Sequence, residues 1–199
     1  MGRFKFAALV FAVALAVSAA ASSESVNFTT TAPGTAVTSA PGVTFDLQGG
    51  PDSSGPPTIG GYYCPTCGLT NSTNGGAGIT SYPTASILDI AFTSPADDVS
   101  FTLDNWGSGN GTYYTAWDGA TVVSSGLADT TDGSFALYAV SGSDITDLQI
   151  NNNTGGDSNW VFGVGELNFT PTPEPSSLLL FGTGILAMAG LFGRKILAM

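Results

Sequence analysis

The chain has 199 residues, of which 43% are hydrophobic and only 10% charged, and a formal net charge of −11. Fifteen acidic residues face four basic ones, Arg3, Lys5, Arg194 and Lys195, and histidine is absent. This balance excludes a basic nucleic-acid surface and every catalytic centre that needs a histidine base.

Met1–Ala21 reads as a secretory signal: Arg3 and Lys5, an apolar core from Phe6 to Val17, then the small residues Ser18-Ala19-Ala20-Ala21. Ala19 and Ala21 suit signal peptidase, with cleavage after Ala21; an uncleaved anchor helix is the alternative. Positive charge resists translocation, so the basic pairs at both ends predict a cytoplasmic start and finish with residues 22–172 outside. That stretch holds every acidic residue but Glu174, fourteen of the fifteen, and no basic residue, so its formal charge is −14. It cannot form a salt bridge among its own side chains, and its electrostatic partners must be cations. With lysine also missing there, a Ser-Lys dyad is excluded and only carboxylate chemistry stays open.

Residues 32–82 are rich in Gly, Pro, Ser and Thr and read as long loops carrying a few strands. They contain both cysteines, as Cys64-Pro-Thr-Cys67. Two ligands without histidine are too few for a zinc site, and Gly68 stands where a haem attachment needs histidine. A disulfide between Cys64 and Cys67 suits an exported domain, and a free thiol pair or redox switch is the alternative.

From residue 87 onward short alternating segments dominate. Val99, Phe101 and Leu103 fall on one face of a strand and Ser100, Thr102 and Asp104 on the other. Strands are predicted at Val43–Leu47, Ile87–Thr93, Val99–Asp104, Tyr113–Trp117, Ala120–Ser124, Phe135–Val140, Ile145–Ile150, Trp160–Val164 and Glu166–Thr170. Turns are expected at Ser94–Asp97 and, as a type I′ hairpin, at Asp118-Gly119. The fold class that follows is all-β, an antiparallel β-sandwich of jelly-roll kind over residues 22–172.

The candidate chemistry is sparse. Asp97 and Asp98 read as a solvated corner. Asp129 and Asp132 miss the calcium-loop spacing, which leaves a calcium site open without identifiable ligands. Glycosidases need two carboxylates roughly 5–10 Å apart, and the sequence supplies carboxylates without a pairing. Trp106, Trp117, Trp160, Tyr62, Tyr63, Tyr113 and Tyr114 could stack on sugar rings, although core packing accounts for such residues as well. Trp106, beside Gly107–Gly111, is the best loop candidate for carbohydrate contact. Tyr113 and Tyr114 must point to opposite faces, so at least one lies on the less buried side.

Thr170–Ser177 reads as a linker. Leu178–Phe192, or to Gly193, is uncharged and is closed by Arg194 and Lys195. Sixteen helical residues reach roughly 24 Å, slightly less than the ~30 Å of a bilayer core. A temporary single transmembrane helix over about 178–193, stopped by the basic pair, is therefore expected. The alternative, a buried amphipathic helix, is disfavoured by the lack of a polar face beyond Thr183 and by the four glycines.

The order Pro173-Glu174-Pro175, Ser-Ser, apolar helix and basic pair resembles the PEP-CTERM protein-sorting tail of bacteria. The resemblance covers Pro173 to Lys195. It implies processing by exosortase near the Pro-Glu-Pro motif, after membrane tethering, and delivery to the cell surface or extracellular matrix. The hydrophobic spacing of residues 87–169 is more loosely similar to the β-sandwich domains that precede such tails, which look like carbohydrate-binding jelly rolls. The similarity implies a carbohydrate-binding kind of domain, with no binding residue carried over, and with carboxylates that have no evident pairing the expectation is a non-enzymatic surface or matrix protein associated with exopolysaccharide. A carbohydrate-active enzyme using an Asp pair and a permanently tail-anchored protein are the alternatives.

Overall fold

The computed structural model describes residues 21–50, 53–60, 66–73, 87–105, 112–128, 134–152, 161–172 and 182–185. One compact unit is Ser22–Thr172. Of the remainder, only Ala21 and the helical turn 182–185 are described. Among the described residues no helix is long and apolar enough to cross a membrane. The span expected at Leu178–Gly193 lies, apart from that turn, outside them.

Ten strands are described: β1 (Glu24–Asn27), β2 (Ser39–Ala40), β3 (Val43–Gln48), β4 (Leu69–Thr70), β5 (Ile87–Asn105), β6 (Tyr113–Asp118), β7 (Thr121–Leu127), β8 (Ala136–Ala139), β9 (Ile145–Asn151) and β10 (Phe162–Pro171). Every pairing among them is antiparallel. The sheet runs β1-β10-β5-β9-β6-β7, with β3 also on β5, β2 on β3, β4 on β10 and β8 on β5.

The 19-residue β5 organises everything else. Its first half pairs with β3 and β9, and its second half with β10 and β8. Leu88, Ile90, Phe92 and Ala96 are buried at even numbers; Val99, Phe101 and Leu103 are buried at odd ones. Side chains alternate with period two, so this change of parity requires an inserted residue. The insertion is at the Asp97-Asp98 corner. Asp98 takes φ 52, a conformation a short polar side chain tolerates, and Asp97 Oδ1 accepts the Asp144 N–H at 2.9 Å. The expected turn at Ser94–Asp97 is thus a bulge inside one strand, and the two strands predicted around it are continuous. From Phe162 onward the segments predicted as two strands at Trp160–Val164 and Glu166–Thr170 likewise form one, β10, whose register shifts between Val164 and Glu166.

Two wings result, and their inner faces meet. Phe101 on the second half of β5 lies edge-on to Tyr114 of β6, centroids 5.7 Å apart, and stacks on Tyr138 of β8 at 5.4 Å. Phe28, after β1, meets Phe45 of β3 at 5.5 Å, and Phe92 meets Phe169 at 5.1 Å. Each fully buried Leu, Ile or Phe in this core contributes roughly 1.5–3 kcal/mol.

Two further expectations change. The β6–β7 hairpin turns at Gly119-Ala120, because Asp118 already pairs with Thr121. Positive φ occurs only at Gly119 (φ 55), the first central position, as a type II′ turn requires. The linker also begins later than expected. Thr170 pairs with Asp97 and Pro171 with Ala96, and Thr172 gives both its N–H (2.7 Å) and its Oγ1 hydroxyl (2.9 Å) to the Pro95 carbonyl. Proline at 95 gives up no ladder donor that is missed there, since its carbonyl is what the chain end uses.

Candidate functional site on the outer sheet face

Alternation that buries one face of the first wing exposes the other. The registers align its outward residues in three rows across β3, β5, β9, β6 and β7. The first row is Gln48, Ile87, Asn151, Tyr113 and Leu127. The middle row is Asp46, Asp89, Gln149, Thr115 and Ser125. The third is Thr44, Ala91, Asp147, Trp117 and Val122. Residues 46, 89 and 147 are far apart in sequence, but they sit on three neighbouring strands.

Asp89 is the centre of this face. Gln48 Nε2 donates to its Oδ2 at 3.0 Å, and the Gln149 side chain is its cross-strand neighbour on the other side. Oδ1 is buried and has no hydrogen-bond partner. Burial pushes the Asp89 carboxyl above the ordinary 3.8; the Gln149 side chain opposes this, and the neighbouring Asp147 and Asp46 charges add to it. No basic side chain exists anywhere in 22–172 to offset them.

The β6–β7 side is aromatic and apolar. Tyr113 is 50% exposed, Val122 47% and Leu127 54%. Trp117 is half-buried, and its indole N–H is enclosed without an acceptor. The backbone beneath it is pinned: the Thr146 hydroxyl donates to the Trp117 carbonyl (3.2 Å) and accepts the Gly119 N–H (2.9 Å). The face therefore sets a half-buried aromatic ring beside a carboxylate and amide row, with one unpaired donor and one unpaired acceptor enclosed beneath its surface. Such a surface can stack on a ring and hold hydroxyls or a cation. Among the described residues no group of three or more acidic or cysteine side chains is gathered closely enough to hold a metal ion.

Cys67 is buried and disulfide-bonded, and Cys64 is the chain's only other cysteine. The Cys67 carbonyl rests so closely on β10 that a Cβ at Gly163 would collide with it. Ala21 is exposed and lies just ahead of the folded unit. Ala19, Cys64, Trp106, Trp160, Pro173, Glu174, Pro175, Arg194 and Lys195 lie outside the described residues. As expected from alternation, Tyr113 faces out and Tyr114 faces the core. Sequence reasoning preferred Trp106 over Trp117 and did not see Asp46, Asp89 and Asp147 as neighbours. Their outward parity within each strand was the available signal, but the register between strands was not.

The fold and this face define an all-β antiparallel domain with an open acidic and aromatic surface. Residues 171–195 match the family model described as the PEP-CTERM protein-sorting motif. The chain thus carries a PEP-CTERM sorting motif, and the motif points to sorting to the cell surface by exosortase. No curated protein matches the chain.

Proposed function

We propose that this is a non-enzymatic surface or matrix protein, held briefly in the inner membrane by its tail and released at the Pro173–Pro175 region. Its β domain, a β-sandwich of jelly-roll kind, associates with exopolysaccharide. The match at residues 171–195 carries the sorting part of this reading. The short apolar run and the proline-rich segment ahead of it support a temporary tether: prolines resist helix formation and keep the segment extended for a processing enzyme. The two wings meeting across one core support the sandwich. Mass spectrometry of the mature C-terminus in a host containing exosortase tests the sorting: loss of residues beyond the motif is expected, and a tail still ending at Met199 sinks it.

A carbohydrate-active enzyme is the second reading, favoured by one observation. Asp46 and Asp89 are direct cross-strand partners, and Asp89 holds its proton more tightly than an ordinary aspartate, as a general acid would. Incubating the exported protein with a polysaccharide panel separates the two. Retention without new reducing ends supports the binding role; release of reducing ends abolished by Asp89→Asn would overturn it.

A further inference from the structure

We propose that Thr170–Thr172 form a release tab at the end of β10. Its undocking from Pro95–Asp97 sets the rate at which exosortase processes the tail, with Thr172 as the positioning residue. This rests on the reading of the tail as a processed tether and adds the step that the fold controls.

The sorting motif is not set off from the domain by a spacer. The family match begins at Pro171, yet the compact unit runs to Thr172. The two therefore overlap at Pro171 and Thr172, and Pro173, the first residue of the tripeptide, follows the last docked residue directly. Extended peptides are recognised through their main-chain hydrogen-bonding groups over several residues. While β5 holds the main chain just ahead of Pro173, those groups are not available to an enzyme.

The tab is built to come away by itself. Two ladder pairs, Asn168–Ser100 and Thr170–Asp97, flank a break in register, and the Asp98 bulge of β5 lies in that break. Beyond it Pro171 pairs with Ala96, and Thr172 reaches Pro95. Proline has no N–H, so neither Pro171 nor Pro95 adds a donor to this stretch of ladder. Among the described residues Thr172 is held by one acceptor: the Pro95 carbonyl takes its N–H at 2.7 Å and its hydroxyl at 2.9 Å. Thr170, Pro171 and Thr172 are all half-buried. Phe169, one residue earlier, is buried, lies 5.1 Å from Phe92, and comes so close to Gly42 that a Cβ there would collide with its ring. Peeling of the strand thus stops at Phe169, and local opening frees three residues without unfolding the core.

Cleavage of a transiently opened segment follows the population of the open form when opening and closing are fast compared with cleavage. Each bond removed from the tab raises that population, so the docked tab prolongs the tethered state.

The test is pulse-labelling of the full chain in a host containing exosortase, reading the half-time of tail loss. Thr172→Val removes the hydroxyl bond and should shorten that half-time about two- to fivefold. A Gly-Ser pair inserted between Thr172 and Pro173 supplies free main chain ahead of the motif. It should speed processing by itself and make Thr172→Val silent, a rescue that a merely structural role would not give. Gly163→Ala strains the domain away from the tab and should leave the half-time unchanged. Slower processing in Thr172→Val or in the spacer variant would mean that exosortase reads Thr172 directly, and overturns the tab. Acceleration by Gly163→Ala equal to that of Thr172→Val would make global unfolding the controlling step and overturns it too. Unchanged half-times in Thr172→Val and the spacer variant overturn it while leaving the sorting reading standing. A tail still ending at Met199 in every variant sinks both.

Discussion

The inner and outer faces of the first wing are built from the same strands and differ in almost everything else. Leu88 and Ile90 point inward and are fully buried; Asp89, between them, points outward among Gln48, Gln149, Asp46 and Asp147. One face is filled by interchangeable apolar volume and determines whether the domain folds. The other carries enclosed unpaired polar atoms and like charges, a cost to folding. The stabilising core and the polar outer surface are therefore separated by one residue of register, and substitutions on the two faces should act differently.

The sharpest break is Phe101→Ala. This ring touches both Tyr114 and Tyr138 and joins the two wings. Its loss should cost about 3–5 kcal/mol in denaturant unfolding. Gly163→Ala comes next, because the added methyl meets the Cys67 carbonyl, which is backbone and cannot step aside. A cost of about 1–3 kcal/mol is expected. Reduction of the disulfide should lessen it, if the pinned cysteine loop is what prevents relaxation. Unchanged unfolding in Gly163→Ala would mean that the cysteine loop does not rest on β10.

Thr172→Val removes one of the two bonds to the Pro95 carbonyl. It should cost about 1 kcal/mol or less and speed amide exchange at the end of β10. A flexible linker starting at Thr170 would show neither effect.

The smallest effect has the opposite sign. Asp89→Asn should stabilise the protein at neutral pH, by under about 1 kcal/mol for a group that keeps some solvent. The folded carboxyl holds its proton above the ordinary 3.8, so the folded state binds more protons than the unfolded one near that pH. Its contribution to stability is present below 3.8 and is lost as pH rises through the raised value. The thermal stabilities of variant and parent should converge below pH 3.8 and separate above it. A variant less stable than the parent at pH 7 would show that the Asp89 charge is already compensated.

Much of this was legible in the sequence. Alternation in Val99–Asp104, and the composition of Val43–Leu47 and Ile145–Ile150, predicted strands whose apolar members are indeed the buried ones. The ordered tail of Pro-Glu-Pro, apolar run and basic pair was readable because sorting signals act as linear text, recognised before or apart from folding. Ser94–Asp97 failed as a turn because Pro, Ser and Asp favour turns and bulges alike, and only the partner strands decide between them. Asp118-Gly119 failed by one residue for a related reason: the ladder fixed which pair sits at the tip.

The sequence by itself determined the strand-forming segments, the −14 charge without a basic residue, and the address at the tail. All of these are properties of neighbouring residues or of composition. The tertiary structure alone decided the single bent β5, the docking of Thr172 on Pro95, and the meeting of Asp46, Asp89 and Asp147 beside Trp117. Those depend on register between segments tens of residues apart. Period-two alternation tells each residue which face it takes, and says nothing about which residue will stand beside it.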